Sequence, residues 1–503
     1  MSSQRWPVDA EPPFLAYDRG VSSAAPTDLA GSLRELADRV FSRAAGAPLV
    51  GGNAVRLLCD AAENFAAWRA AIRGATRSIL FESYIIDDDE VGTEFRDLLA
   101  DRARDGVHVR VLRDWLGSPG KLSARFWRPL VAAGGEVRSF NPPRFDSPFA
   151  WISRDHRKSI VVDGRIGFVT GLCVSGRWLG DPRKKLEPWR DTGVEIRGPA
   201  VADLGRAFGQ VWAAIGPPLP EAERIDPGSI PPAGDVTLRV VASAPSTARL
   251  LRLDQMIAAL ARHRLWLTDA YFVPVTPYVE ALRAAARDGV DVRILVPGVS
   301  DVPIVASVSR SGYRRLLEAG IRIFEWNGTM LHAKTAVADG RWARVGSTNL
   351  NLASFVGNYE LDVAIEDVPF AGEMERTYQR DLERATEIVL ERRRRGTTLS
   401  HAAEDLPHIR RARGGSMKRA AAGALGIGST VGAAITRPRE LGYAEGRVTA
   451  SAGIVLAGLA AIAFLWPSVI AWPLALLAGW LGLVLLFRAW AGWRAARSGR
   501  PSP

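Results

Sequence analysis

The strongest constraint on this chain is a pattern that occurs twice. Residues Leu331 to Asn351 read LHAKTAVADGRWARVGSTNLN, and residues Asp155 to Cys173 read DHRKSIVVDGRIGFVTGLC. In each, a histidine and a lysine stand two apart (His332 and Lys334, His156 and Lys158) within strand-forming residues, so the two side chains share a face if the run is extended. Asp339-Gly340 and Asp163-Gly164 are two-residue hairpin signals. They fold return strands, ending near Gly346 and Gly171, back beside the histidines. The loop Gly346-Ser347-Thr348-Asn349 brings small residues, hydroxyls and an amide suited to phosphate oxygens. The chain has only six histidines, and two of them occupy this pattern.

The repetition reaches beyond the hairpins. RDGVHVRVL at Arg104 to Leu112 matches RDGVDVRIL at Arg287 to Leu295, and LVAAGGEVRSF at Leu130 to Phe140 is echoed by LLEAGIRIFEW at Leu316 to Trp326. The chain is therefore an internal duplication. A lead over 1–48, with one helix near Asp28 to Ala45, precedes lobes over 49–218 and 236–390, joined by the Pro- and Gly-rich Leu219 to Asp235. Strands and helices alternate in each lobe, which predicts an α/β fold of mainly parallel sheets flanked by helices.

After about Leu390 the composition changes. Four arginines, Arg392 to Arg395, open a basic linker over 391–447, and two apolar runs follow, Val448 to Trp466 and Ser468 to Phe487, parted by Pro467. A spanning helix needs roughly 20 apolar residues, so 448–487 is expected to form a transmembrane helical hairpin. Arg447 before it and Arg488, Arg494 and Arg497 after it place both ends, and the lobes, on the cytoplasmic side of the inner membrane. The N-terminus has no basic, apolar secretory pattern.

The formal charge of +11 suits anionic partners, phospholipid head groups or nucleic acid. Two cysteines, Cys59 and Cys173, exclude a Cys-rich zinc site and argue against a disulfide framework. With no His-rich cluster either, no metal and no cofactor is expected, and side chains must carry the chemistry.

The doubled pattern resembles the phospholipase D superfamily over about residues 50–390, and FESYIIDDDEVG, RDGVHVRVLRDW and PWRDTGVEIRGPAV are most like its bacterial cardiolipin synthase branch. The resemblance implies that both hairpins meet in one cleft, with His156, Lys158, Asp163, His332, Lys334 and Asp339 as the catalytic set. It implies a phosphohistidine intermediate and a phosphate cradle drawn from Gly171, Gly346, Ser347 and Asn349. Cys173 stands where the first motif usually has Asn, and Thr170 where it usually has Gly.

Strict alternation puts Asp163 and Asp339 off the His and Lys face, as turn residues at the hairpin tips. Asp191 in RDTGVEI and Glu360 in YELDVAI are better placed to orient imidazole, because aligning Val194 with Val363 and Ile196 with Ile365 superposes the two acids. Asp191 is expected beside His156, in its own lobe. The function implied is a membrane phosphatidyltransferase acting on an anionic phospholipid, with no nucleic acid partner expected. A hydrolase releasing phosphatidic acid, a nuclease and a lipid-binding scaffold are the alternatives, and oligomeric state is left open.

Overall fold

The computed structural model describes residues 26–117, 124–142, 153–393 and 396–401, together with scattered helical positions between 454 and 486. Helix α1 (Pro26–Ala45) leads into the first half: β1 (Val50–Cys59), α2 (Asp60–Arg73), β2 (Ser78–Ser83), α3 (Glu90–Arg104), β3 (His108–Asp114), α4 (Ala124–Ala132), β4 (Glu136–Phe140), β5 (Lys158–Val162), β6 (Ile166–Thr170), β7 (Thr192–Arg197) and α5 (Val201–Ala214). The second half repeats the order as β8 (Val236–Ser243), α6 (Arg249–Leu260), β9 (Arg264–Thr268), α7 (Thr276–Arg287), β10 (Asp291–Pro297), α8 (Pro303–Leu317), β11 (Arg322–Trp326), β12 (Thr335–Ala338), β13 (Trp342–Gly346), β14 (Glu360–Glu366) and α9 (Val368–Leu382). Two further strands, β15 (Ala385–Arg393) and β16 (Gly396–His401), close the sheet.

The repeated RDGV segments have a local cause. Each ends a helix, with Gly106 and Gly289 at φ of 90° and 92°. The N–H of the following valine reaches back to the helix, Val107 to the Arg102 carbonyl at 3.0 Å and Val290 to Ala285 at 3.1 Å. Glycine takes the left-handed conformation without a Cβ penalty, and the bond satisfies a terminal carbonyl. The valine then starts a buried parallel strand.

All strands join one 16-stranded sheet in the order β16-β15-β11-β10-β9-β12-β13-β14-β8-β1-β7-β6-β5-β2-β3-β4. From the central β8–β1 pair outward, each half presents the same sequence of strands. The expectation of mainly parallel sheets is corrected here: only β2–β3, β3–β4, β9–β10 and β10–β11 run parallel. The helical crossovers supply those pairs, whereas the motif hairpins and the strands on either side of them pair antiparallel.

One core cluster is shared by the halves. It gathers Val201, Phe208 and Trp212 of α5 with Phe370, Met374 and Tyr378 of α9, over Val194, Ile196, Val363 and Ile365. β13 also lies against β6 and β7. The halves are thus packed through apolar surface as well as through the β1–β8 seam.

Part of the stretch expected as basic linker is strand. Arg392 and Arg393 pair with Thr397 and Gly396 in the β15–β16 hairpin, which runs to His401. Among the described residues no helix is long and apolar enough to cross a membrane. The expected hairpin over 448–487 lies mostly outside the described residues; those described there are helical, and Ile454, Leu465, Trp472 and Leu476 among them are exposed.

Candidate active site

Two isolated parallel bridges stitch the halves together at the motifs. His156 N–H donates to the Tyr359 carbonyl at 2.9 Å, and His332 N–H donates to the Arg190 carbonyl at 2.7 Å. Tyr359 precedes Glu360 and Arg190 precedes Asp191, so each bond sets one half's histidine beside the other half's carboxylate. His156 Nδ1 lies 2.9 Å from Glu360 Oε2, and His332 Nδ1 lies 2.7 Å from Asp191 Oδ2. The expected pairing of His156 with Asp191 is thereby corrected. It failed because the partner is chosen by a contact between halves, which alignment within a half does not contain.

Both carboxylates are fully buried. Burial alone would raise their pKa values, but the adjacent imidazole and lysine, with Trp178 at Asp191 and Ser347 at Glu360, hold both below the ordinary range. An ionised carboxylate accepts, so it fixes the ring proton on Nδ1 and leaves Nε2 for chemistry. Burial lowers His156 to about 4; Glu360 opposes the shift, and Lys158 adds to it. His332 falls to about 3 through burial and then Lys334, with Asp191 opposing. Lys334 affects His156 and Lys158 affects His332, so both motifs share one cavity field.

The lysines sit close under the rings. Lys158 Nζ donates to the His156 carbonyl at 2.5 Å. Lys334 Nζ bonds the His332 carbonyl and also stands 3.0 Å from His332 Nδ1. Burial lowers Lys334 to about 8, with Asp191 opposing the shift.

The remaining expected residues divide. Asp163 and Asp339 lie at the hairpin tips, away from the imidazoles. Each sits at positive φ (54° and 50°) before a glycine at positive φ (67° and 62°), as a type I′ turn requires. Each carboxylate accepts three consecutive backbone N–H groups at the entry to β2 or β9: those of Thr76, Arg77 and Ser78 at Asp163, and of Arg262, His263 and Arg264 at Asp339. Their geometry therefore ties the hairpin to the neighbouring strand and gives neither a contact with a reacting group.

The cradle is also revised. Gly171 N–H donates to the Thr192 carbonyl and Gly346 N–H to the Lys334 carbonyl, so neither amide is offered to a ligand. A Cβ on Gly171 would stand 2.2 Å from Asp191 Oδ1, and one on Gly346 2.2 Å from Asp362 Oδ1. Close approach of a carboxylate accounts for both glycines. Ser347 Oγ donates to Glu360 Oε2 at 2.5 Å, which commits its hydroxyl to the orienting acid. The buried Asn349 keeps its Oδ1 without a partner. Cys173, at the matching place in the first half, is a buried thiol raised by desolvation.

Sequence reasoning missed the aromatic walls. Trp178 Nε1 donates to Asp191 Oδ2 at 2.8 Å, taking the place that Ser347 takes at Glu360. Trp178, Trp189 and Tyr271 hold ring centroids 5.2, 5.9 and 5.8 Å from His332, and Tyr84 lies 4.8 Å from His156. No periodicity marks these positions. Among the described residues there is no His, Cys, Asp and Glu cluster suited to a metal ion.

The chain is similar to known proteins in sequence and in fold. Residues 254–382 match the family model described as cardiolipin synthase, PLD-like domain. The chain is 34% identical to a cardiolipin synthase of Halalkalibacterium halodurans over 366 residues, 72% of each chain. It is 37% identical to cardiolipin synthase A of Pseudomonas aeruginosa over 358 residues, covering 69% of this chain and 70% of that one. The structure of phosphatidylserine synthase from Haemophilus influenzae shares the fold, with a TM-score of 0.56 at 15% identity, covering 69% of this chain and 91% of that one. Two crossed histidine–carboxylate pairs on a duplicated fold, with relatives of this identity and coverage, make the chain a member of the cardiolipin synthase family, a phosphatidyltransferase of the phospholipase D superfamily.

Proposed function

We propose that the protein transfers the phosphatidyl group of phosphatidylglycerol to a second phospholipid alcohol, making a cardiolipin-type lipid through a phosphohistidine. The observation that carries the reading is the crossed arrangement, which gives each half one imidazole with its Nδ1 proton fixed and its Nε2 free. His156 Nε2 attacks phosphorus, the bond to the leaving glycerol oxygen breaks, and the proton of His332 Nε2 goes to that oxygen. The acceptor hydroxyl then gives its proton back to His332 while its oxygen displaces His156 from phosphorus.

Lys158 and Lys334 hold the non-bridging oxygens as charge develops, with the Asn349 amide as a further ligand. Burial leaves both imidazoles depressed and neutral near pH 7. His332 takes up a proton from solvent as the substrate binds, because the bound phosphodiester anion favours the imidazolium. Attack is assigned to His156 because the phospholipase D resemblance implies it for the first motif's histidine, which leaves protonation of the leaving oxygen to His332. The apolar runs over 448–487 would anchor the lobes at the inner membrane, facing the cytoplasm.

The test is to incubate the full chain with phosphatidylglycerol and resolve products by mass spectrometry. A diphosphatidyl lipid with equimolar free glycerol supports the reading. Phosphatidic acid alone would make water the acceptor, and no phospholipid product would refute it.

A further inference from the structure

The halves differ most in how the chain passes from motif to carboxylate. The second half goes from Asn349 to Glu360 through 350–359, with one π-helical turn at Ala353–Gly357, whereas the first uses 174–190 to go from Cys173 to Asp191. Both connections end in the same kind of bond between Arg190 or Tyr359 and a histidine N–H. The longer connection supplies Trp178 and Trp189 to the site, but the residues between those two tryptophans make none of its imidazole or carboxylate contacts.

The added residues form a small projecting loop. Asp181 and Leu186 close it as an antiparallel bridge, and Lys185 turns it at φ of 53°. Positions 182–188 are all exposed, and Leu179 and Leu186 each keep 38% of their surface in water. Lys184 reaches Asp181 at 2.8 Å and is still 74% exposed, while Arg183 and Lys185 make no ion pair among the described residues. The loop is rooted on the site. Trp178, before it, and Trp189, after it, pack 4.8 Å apart at their centroids and both face His332.

We propose that residues 179–188 are a membrane-contact loop that seats the surface of an anionic phospholipid bilayer at the mouth of the site. Arg183 and Lys185 meet lipid phosphates, and Leu179 and Leu186 enter the boundary between head groups and acyl chains. Apolar side chains beside cations on one projecting element are what an anionic interface binds. Nucleic acid would satisfy the cations and leave the leucines in water. The proposal draws its substrate from the phosphatidyltransferase reading, but lipid contact itself is measured without turnover.

The experiment uses the full chain in two assays. An environment-sensitive dye on Leu186→Cys, in a Cys59→Ser background that leaves Cys173 buried, is tested with phosphatidylglycerol and with phosphatidylcholine vesicles carrying spin-labelled lipid. Quenching in the first and not the second is expected. In the Arg183→Glu/Lys185→Glu protein, turnover of vesicle phosphatidylglycerol relative to dispersed short-chain phosphatidylglycerol should fall at least ten-fold. An unquenched dye, a dye that responds to duplex DNA in place of vesicles, or an unchanged ratio overturns the proposal. A quenched dye on a protein that forms no phospholipid product refutes the transferase reading and leaves the loop contact standing.

Discussion

Glu360 Oε2 lies 2.9 Å from His156 Nδ1, a residue 204 positions earlier and in the other half of the duplication. His332 and Asp191 repeat the relationship in the opposite sense at 2.7 Å. Neither half-site is complete alone, so separation of the lobes would dismantle both imidazoles together.

The crossing predicts distinguishable variants. Glu360→Gln and Asp191→Asn should each lower kcat/KM by a factor on the order of a hundred to ten thousand, the range for losing the group that fixes an imidazole tautomer. With a substrate whose leaving group needs no proton, Asp191→Asn should recover formation of the covalent adduct and Glu360→Gln should not. Stopped-flow release of nitrophenol from a nitrophenyl phosphodiester reads the difference; recovery by Glu360→Gln instead would reverse the roles of the two rings.

An alkaline limit should appear in the pH profile. Burial lowers Lys334 to about 8 and Asp191 opposes that shift, so as pH rises through about 8 the ammonium loses its proton and with it one ligand to the phosphate. kcat/KM of the wild-type protein is expected to fall above this pH. Asp191→Asn removes the opposing charge and should move the midpoint downward, a direction that a merely structural change at Asp191 would not impose.

Asp163 and Asp339 should behave as stability residues. Each accepts three backbone N–H bonds on a partly exposed carboxylate, and their pKa values lie below the ordinary one because those donors outweigh burial. Such bonds are worth roughly 1–2 kcal/mol after allowance for solvent screening. Asp163→Ala and Asp339→Ala should each lower the denaturant midpoint by about that amount. A depressed acid stabilises above its unfolded pKa, near 4, and the contribution is lost as pH falls below that value. The difference between wild type and variant should therefore shrink in acid. Loss of activity in a variant with unchanged stability would return the aspartates to the chemistry.

What the sequence disclosed is unevenly distributed. The His-x-Lys hairpins, the RDGV helix ends and even the alignment of Asp191 with Glu360 were legible, because each is set by spacing within one half. The direction of most strand pairs was not: alternating strands and helices specify β2–β3–β4 and β9–β10–β11 and say nothing of β7, β14 or the β1–β8 seam. The crossed carboxylates depend on single bridges between halves, such as Arg190 with Leu331. Ser347 looked like a phosphate donor from its loop, and only burial 2.5 Å from Glu360 assigns its hydroxyl elsewhere. Trp178 carries no pattern, since its indole matters through one hydrogen bond to Asp191.

The central claim is that two histidines from different halves serve one phosphorus, His156 attacking and His332 protonating. It is tested most directly by locating the covalent phosphoryl group on the His332→Ala protein after reaction with a nitrophenyl phosphodiester, by peptide mapping under alkaline conditions that preserve phosphohistidine. The account predicts one adduct per chain, on His156, and none on the His156→Ala protein. An adduct on His332 in the His156→Ala protein, or turnover by either variant at the wild-type rate, would contradict it.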